Sequence, residues 1–148
     1  MSIEIDIQYA TGSKDVPDRR KINKWARLAL TGIKDAAVLT IRIVDAQEAA
    51  VLNKTWRGTN KATNVLSFPA GDNPLMPELM GDVVICAPVI AREAAEQEKM
   101  PHAHWAHMII HGILHLAGYD HTGKRDAKKM ESLEIEKLES INFPNPYE

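Results

Sequence analysis

The chain has one cysteine, Cys86, in 148 residues, so no disulfide can form within it. A lone thiol fits a reducing compartment. Aromatic residues are scarce at 5%, which argues against a broad platform for stacking bases. No apolar run approaches the roughly 18 residues that a membrane span needs. No basic-then-apolar leader opens the chain. The expectation is therefore a cytosolic globular protein without a membrane partner. The sequence contains no internal repeat, low-complexity stretch or long linker. Residues 1–148 accordingly read as one domain, long enough for a sizeable core.

Charge of one sign is not in excess either, the net value being −2. Its distribution is uneven: residues 14–61 hold eleven Lys/Arg against five Asp/Glu, and residues 62–148 hold seven against thirteen. A basic segment on an acidic chain can attract a polyanion, although a solvated helix face is the plainer reading.

Ser2 to Tyr9 alternates Ile3, Ile5 and Ile7 with polar residues and predicts a half-exposed strand. Asp15 and Pro17 predict the opening of a helix to about Leu30, with Ile22, Trp25, Ala26, Leu28 and Ala29 inward. Arg19, Arg20, Lys21, Lys24 and Arg27 fall mostly on the rest of its surface. Ala37 to Val44 reads as a second strand. Asp45 with Glu48 suggests a capping box for a helix to about Trp56, stopping near Gly58. A β-prone run, Thr63 to Phe68, is followed by a Pro-rich loop from Ala70 to Gly81 and an apolar, central strand from Asp82 to Ala87. Helices are expected from Pro88 to Lys99, from His102 to Ala117 and from Lys124 to Ser140, the last with Met130, Leu133, Leu138 and Ile141 inward. The tail reads as irregular. The order β-α-β-α-β-β-α-α-α predicts one α+β domain, a sheet of about four strands with packed helices.

The chemistry concentrates in His111-Gly112-Ile113-Leu114-His115-Leu116-Ala117-Gly118-Tyr119-Asp120-His121. His111 and His115, four apart on a helix, stack on one face about one turn apart, where one metal ion can touch both. Gly118 can turn the chain so that His121 arrives as a third ligand. Three protein ligands leave a tetrahedral zinc one open position, the layout of a catalytic site. The spacing is that of metzincin proteases, whose first His is followed by a Glu base; here that position is Gly112. A zinc-bound water of lowered pKa can instead attack directly. Arg57, at a helix end, is the candidate cation for the charge developing on a phosphodiester.

Other candidates carry less. His107, about 12 Å of helix rise from His115, fits a supporting or core role better than a ligand role, although it could pair with His111. His102 and His104 read as surface residues. Asp120 could hold a ligand imidazole or cap the turn. Thr63 and Ser67 could touch substrate, and Cys86 reads as core.

These residues resemble the YbeY endoribonucleases, bacterial ribosomal-RNA maturation factors. The resemblance rests on the histidine run, on Leu52-Asn53 and Arg57, on Thr63-Asn64-Val65-Leu66-Ser67-Phe68-Pro69, on Gly81-Asp82-Val83-Val84-Ile85, and on Met130-Glu131 and Pro146-Tyr147. It implies a metal-dependent hydrolase specific for single-stranded RNA. It further implies action at the 3′ end of small-subunit rRNA and in ribosome quality control, with the ribosome or its proteins as partners. By this likeness His111, His115 and His121 hold zinc or another divalent transition metal, no organic cofactor is needed, and Arg57 engages phosphate. The family usually has Asp where this chain has Asn64, which removes a carboxylate there. Two rival readings are a metallopeptidase with its base elsewhere and a non-catalytic assembly factor braced by zinc. Casein against single-stranded RNA separates the first. A folded His111→Ala variant that loses cleavage excludes the second.

Overall fold

The computed structural model describes residues 2–58, 62–120 and 122–148. The elements are β1 (Ser2–Ala10), α1 (Arg19–Leu30), β2 (Ala36–Val44), α2 (Ala46–Arg57), β3 (Val65–Pro69), β4 (Leu79–Cys86), α3 (Ala87–Glu96), α4 (Pro101–Leu116) and α5 (Lys124–Glu139). This is the expected α+β order. One mixed sheet runs β1-β2-β4-β3. β1 and β4 pair with β2 in parallel, and β3 pairs with β4 antiparallel. The apolar run Val83-Val84-Ile85 thus sits in the sheet interior, while β3 is left at an edge.

Strand alternation separates the two faces. Ile7, Ile41 and Val83 lie side by side in register, as do Ile43 and Ile85. They form the main core with Ile22, Trp25, Ala26 and Ala29 of α1 and with Trp105, Ile109, Ile110 and Ile113 of α4. Each large aliphatic side chain buried there stabilises the fold by roughly 1.5–3 kcal/mol. The opposite face carries a smaller cluster, Val44, Ala49, Leu66, Val84, Cys86 and Val89. Cys86 is core as expected, and burial pushes its thiol pKa up.

Two helix starts differ from the sequence reading. α1 begins after Asp18, whose carboxylate accepts from Lys21 N at 2.9 Å, so Asp15 and Pro17 lie ahead of the helix. Asp45 closes no capping box: its carboxylate accepts from the Thr11 hydroxyl and from Gly12 N, while Glu48 pairs with Arg42 at 2.6 Å. Partners from the loop after β1 and from β2 win over the helix's own N–H groups.

Part of the basic surface has a structural task. Arg19 Nη1 donates to Ile7 O at 2.7 Å and Arg27 Nη2 to Ile3 O at 3.0 Å, both on β1, an edge strand. Covering an edge in this way blunts further strand pairing. Lys137 of α5 is buried and donates to Leu28 O and Thr31 O, the carbonyl end of α1.

Candidate metal centre and cleft

Pro101 opens α4 at a position where its missing N–H is no loss. The helix then carries His104, His107, His111 and His115 at spacings that keep them on one flank. The helix is seated by Gly112: a Cβ there would lie 2.7 Å from Val83 Cγ1 and 3.0 Å from Val65 Cγ2. Ser67 Oγ, on β3, donates to Gly112 O at 2.9 Å. The position that would hold a metzincin Glu therefore presses against the sheet. A larger side chain would have to displace Val83 and Val65, so packing favours glycine over that base here.

The His111 and His115 rings lie 4.7 Å apart between centroids, their planes at 80°. Both line an open cleft of about 690 Å³ together with Asn53, Arg57, Ser67 and Asp120. Gly118, at φ +101°, turns the chain after α4 as the sequence reading required. His121 lies outside the described residues. Arg57 is exposed at the end of α2; its Nη2 donates to Ser67 O at 2.8 Å and its Cζ sits 5.8 Å over the Phe68 ring. Asp120 accepts from the Thr122 hydroxyl at 3.1 Å. Asn53, buried on α2, is a cleft residue that the site reading passed over.

Behind the cleft lies a group that sequence reasoning did not single out. Glu134 of α5 is completely buried. Its Oε1 lies 2.6 Å from His107 Nε2, its Oε2 lies 3.2 Å from His111 Nδ1, and the Tyr147 hydroxyl donates to it. Burial alone would raise the Glu134 pKa. The hydrogen bonds from His107, His111 and Tyr147 outweigh that and hold it at about 2. Burial and the bond to Glu134 push the Tyr147 hydroxyl pKa up. Ligand atoms of His107, His111 and Glu134 lie within 4.8 Å of one another and could hold a metal ion. His107 is thus part of this cluster.

His104 is buried rather than on the surface, correcting the sequence reading, with Nε2 2.9 Å from Glu93 Oε1. The Glu93 carboxylate also accepts from Asn64 Nδ2 at 3.1 and 3.3 Å. His102 is half-buried, edge-on to Trp25 at 5.8 Å.

β3 borders the cleft as an edge strand, yet at three of its outward positions one backbone group is taken or missing. Cross-strand bonds from Cys86 N to Asn64 O and from Ala70 N to Met80 O set the alternation, so the backbone groups of Val65, Ser67 and Pro69 point outward. Val65 N donates to Asn64 Oδ1 at 2.7 Å, Ser67 O accepts from Arg57, and Pro69 has no N–H. An extended peptide adding as a further strand would meet these blocked groups.

Among the described residues no helix is long and apolar enough to cross a membrane. The solution structure of TM1509 from Thermotoga maritima is similar, with a TM-score of 0.63 and 23% identity over 91% of this chain and 88% of that one. That likeness supports the fold. Residues 6–142 match the family described as Endoribonuclease YbeY, nearly the whole chain. The chain belongs to the YbeY endoribonuclease family, metal-dependent hydrolases that cut phosphodiester bonds in rRNA processing.

Proposed function

We propose that this protein is a zinc-dependent, single-strand-specific endoribonuclease. In this reading it acts at the 3′ end of small-subunit rRNA and in ribosome quality control, in the cytoplasm, bound to the ribosome or its proteins. The observation that carries the reading is the placing of His111, His115 and Arg57 on one open cleft. The partly blocked edge of β3 weighs against the peptidase alternative.

The proposed metal ligands are His111, His115 and His121. The donor set suits the group: Glu134 sits at Nδ1 of His111, on the ring side opposite Nε2, and a carboxylate there fixes the ring and raises its basicity. Three imidazoles fit zinc, and nickel or another divalent ion as well. When bound, such an ion supplies Lewis acidity and a water whose pKa is lowered to about 7. In the rival set of His107, His111 and Glu134, two of the three members are buried, Glu134 fully so, and Glu134 is already hydrogen-bonded to both imidazoles. An ion held there would meet the cleft only on the His111 side, which leaves a substrate less access than the His111/His115 side.

Arg57 is proposed to bind the phosphate. A guanidinium has five N–H donors, so the bond to Ser67 O orients the group while others serve an anion. Ser67 positions α4 through Gly112 O. Asn64 positions β3 through Val65 N and Glu93, where an Asp would set two carboxylates against each other. Asp120 is proposed to support the turn toward His121. Arg20, Lys21 and Lys24, exposed on α1, are proposed to draw RNA in, with binding that weakens as salt rises.

The test is cleavage of single-stranded RNA by purified, chelated and metal-restored protein. Cleavage lost with metal and regained on its return supports the reading. Metal-dependent hydrolysis of casein without RNA cleavage overturns it.

A further inference from the structure

Two adjacent side chains at the end of α2 border different openings. Arg57 lines the histidine cleft. Trp56, 66% exposed, lines a second groove of about 760 Å³ across the sheet face that α2 covers incompletely. Both openings share Arg57, Ser67 and Pro69. A strand lying in the cleft can thus pass over the edge of β3 and continue into the groove.

The groove's chemistry differs from that of the cleft. Its lining carries two cations and two carboxylates: Arg42, paired with Glu48 at 2.6 Å, and Arg57 and Asp82. A neutral floor does not recruit a second phosphate. Leu52, Trp56, Phe68 and Val84 give it an apolar lining, with Gln8 and Thr40 as polar groups. Flat apolar surface with a few donors and acceptors suits a nucleobase. The Trp56 ring meets the Phe68 ring edge-on, 6.3 Å between centroids at 67°. Trp56 is thereby braced while most of it stays open to solvent.

Resting on the RNA reading above, we propose that this groove receives the base next to the phosphate at Arg57, with Trp56 stacking on it. Every base has a π-face, so the contact tolerates sequence. It also discriminates strand state, because a base within a duplex must first be unstacked and unpaired to enter. With aromatic residues at only 5%, such stacks are few, and backbone contacts dominate elsewhere.

The experiment uses the full, metal-loaded protein and a short single-stranded RNA. Trp56→Ala should raise KM about tenfold, the scale of one lost base–aromatic stack, with a much smaller change in kcat. Trp56→Phe should restore most of the loss. An abasic nucleotide beside the cleaved bond should weaken wild-type protein equally and add nothing to Trp56→Ala. Trp25 and Trp105 are buried, so red-shifted emission reports Trp56; RNA should quench it in stopped-flow mixing before turnover. An unchanged KM for Trp56→Ala, on RNA that the wild type cuts, overturns the proposal. It would assign the groove to another occupant such as a protein, leaving the nuclease reading intact. A loss in kcat alone overturns it equally. Absence of RNA cleavage by the wild type overturns the nuclease reading itself.

Discussion

Glu134 Oε2 lies 3.2 Å from His111 Nδ1, in the fully buried layer behind the cleft. A carboxylate at the second nitrogen of a ligand imidazole fixes its tautomer and orientation. Glu134→Gln keeps the shape and removes the charge. We expect metal affinity to fall about 10–100-fold, measured by competition with a chelator, and activity to return at high metal concentration. An unchanged affinity would detach Glu134 from the metal centre.

Gly112→Ala tests the seating of α4. The added methyl meets Val83 and Val65 at 2.7 and 3.0 Å, and overpacking of this kind costs about 1–3 kcal/mol. The urea midpoint should fall accordingly. RNA cleavage should fall with it, because the displaced helix carries His111 and His115.

Two buried groups give stability a stepped pH dependence. Burial pushes the His104 pKa below its ordinary 6.5, with the Glu93 hydrogen bond opposing in part. The unfolded chain then takes up that proton at higher pH than the folded one. This contribution is complete above about pH 6.5 and is lost as pH falls below it. Glu134 is held at about 2 against an ordinary 4.5, so its contribution is complete above about pH 4.5 and is lost as pH falls toward 2. Urea midpoints across this range should show an upper step absent from His104→Gln and a lower step absent from Glu134→Gln.

Arg57→Ala removes the proposed phosphate contact without touching an imidazole. Cleavage should fall by about 10²–10³-fold, the scale of losing one preorganised charge-stabilising donor, with bound metal unchanged. Loss of metal in this variant would count against the role given to Arg57.

Local pattern made the fold legible. The alternation of Ile3, Ile5 and Ile7 and of Leu39, Ile41 and Ile43 placed two strands, and the unbroken Val83-Val84-Ile85 run marked the interior one. The His111/His115 spacing marked the helix that lines the cleft. What stayed hidden depends on long-range partners. Glu134 stands between Met130 and Leu138 at helical spacing, within the apolar stripe of α5, and that position was the available signal for a buried carboxylate. It becomes meaningful only once His107, His111 and Tyr147 converge on it. His104 read as a surface residue because its partner, Glu93, lies on another helix. Asp45 read as a cap because its actual partners, Thr11 and Gly12, lie more than thirty residues away.

The central claim is that His111, His115 and His121 share one divalent ion facing the cleft, with His107 serving only to orient. Metal per chain in His115→Ala and His107→Gln, by elemental analysis after reconstitution, tests it most directly. The account predicts about one ion in wild type and His107→Gln and almost none in His115→Ala. Metal retained by His115→Ala and lost from His107→Gln would contradict it.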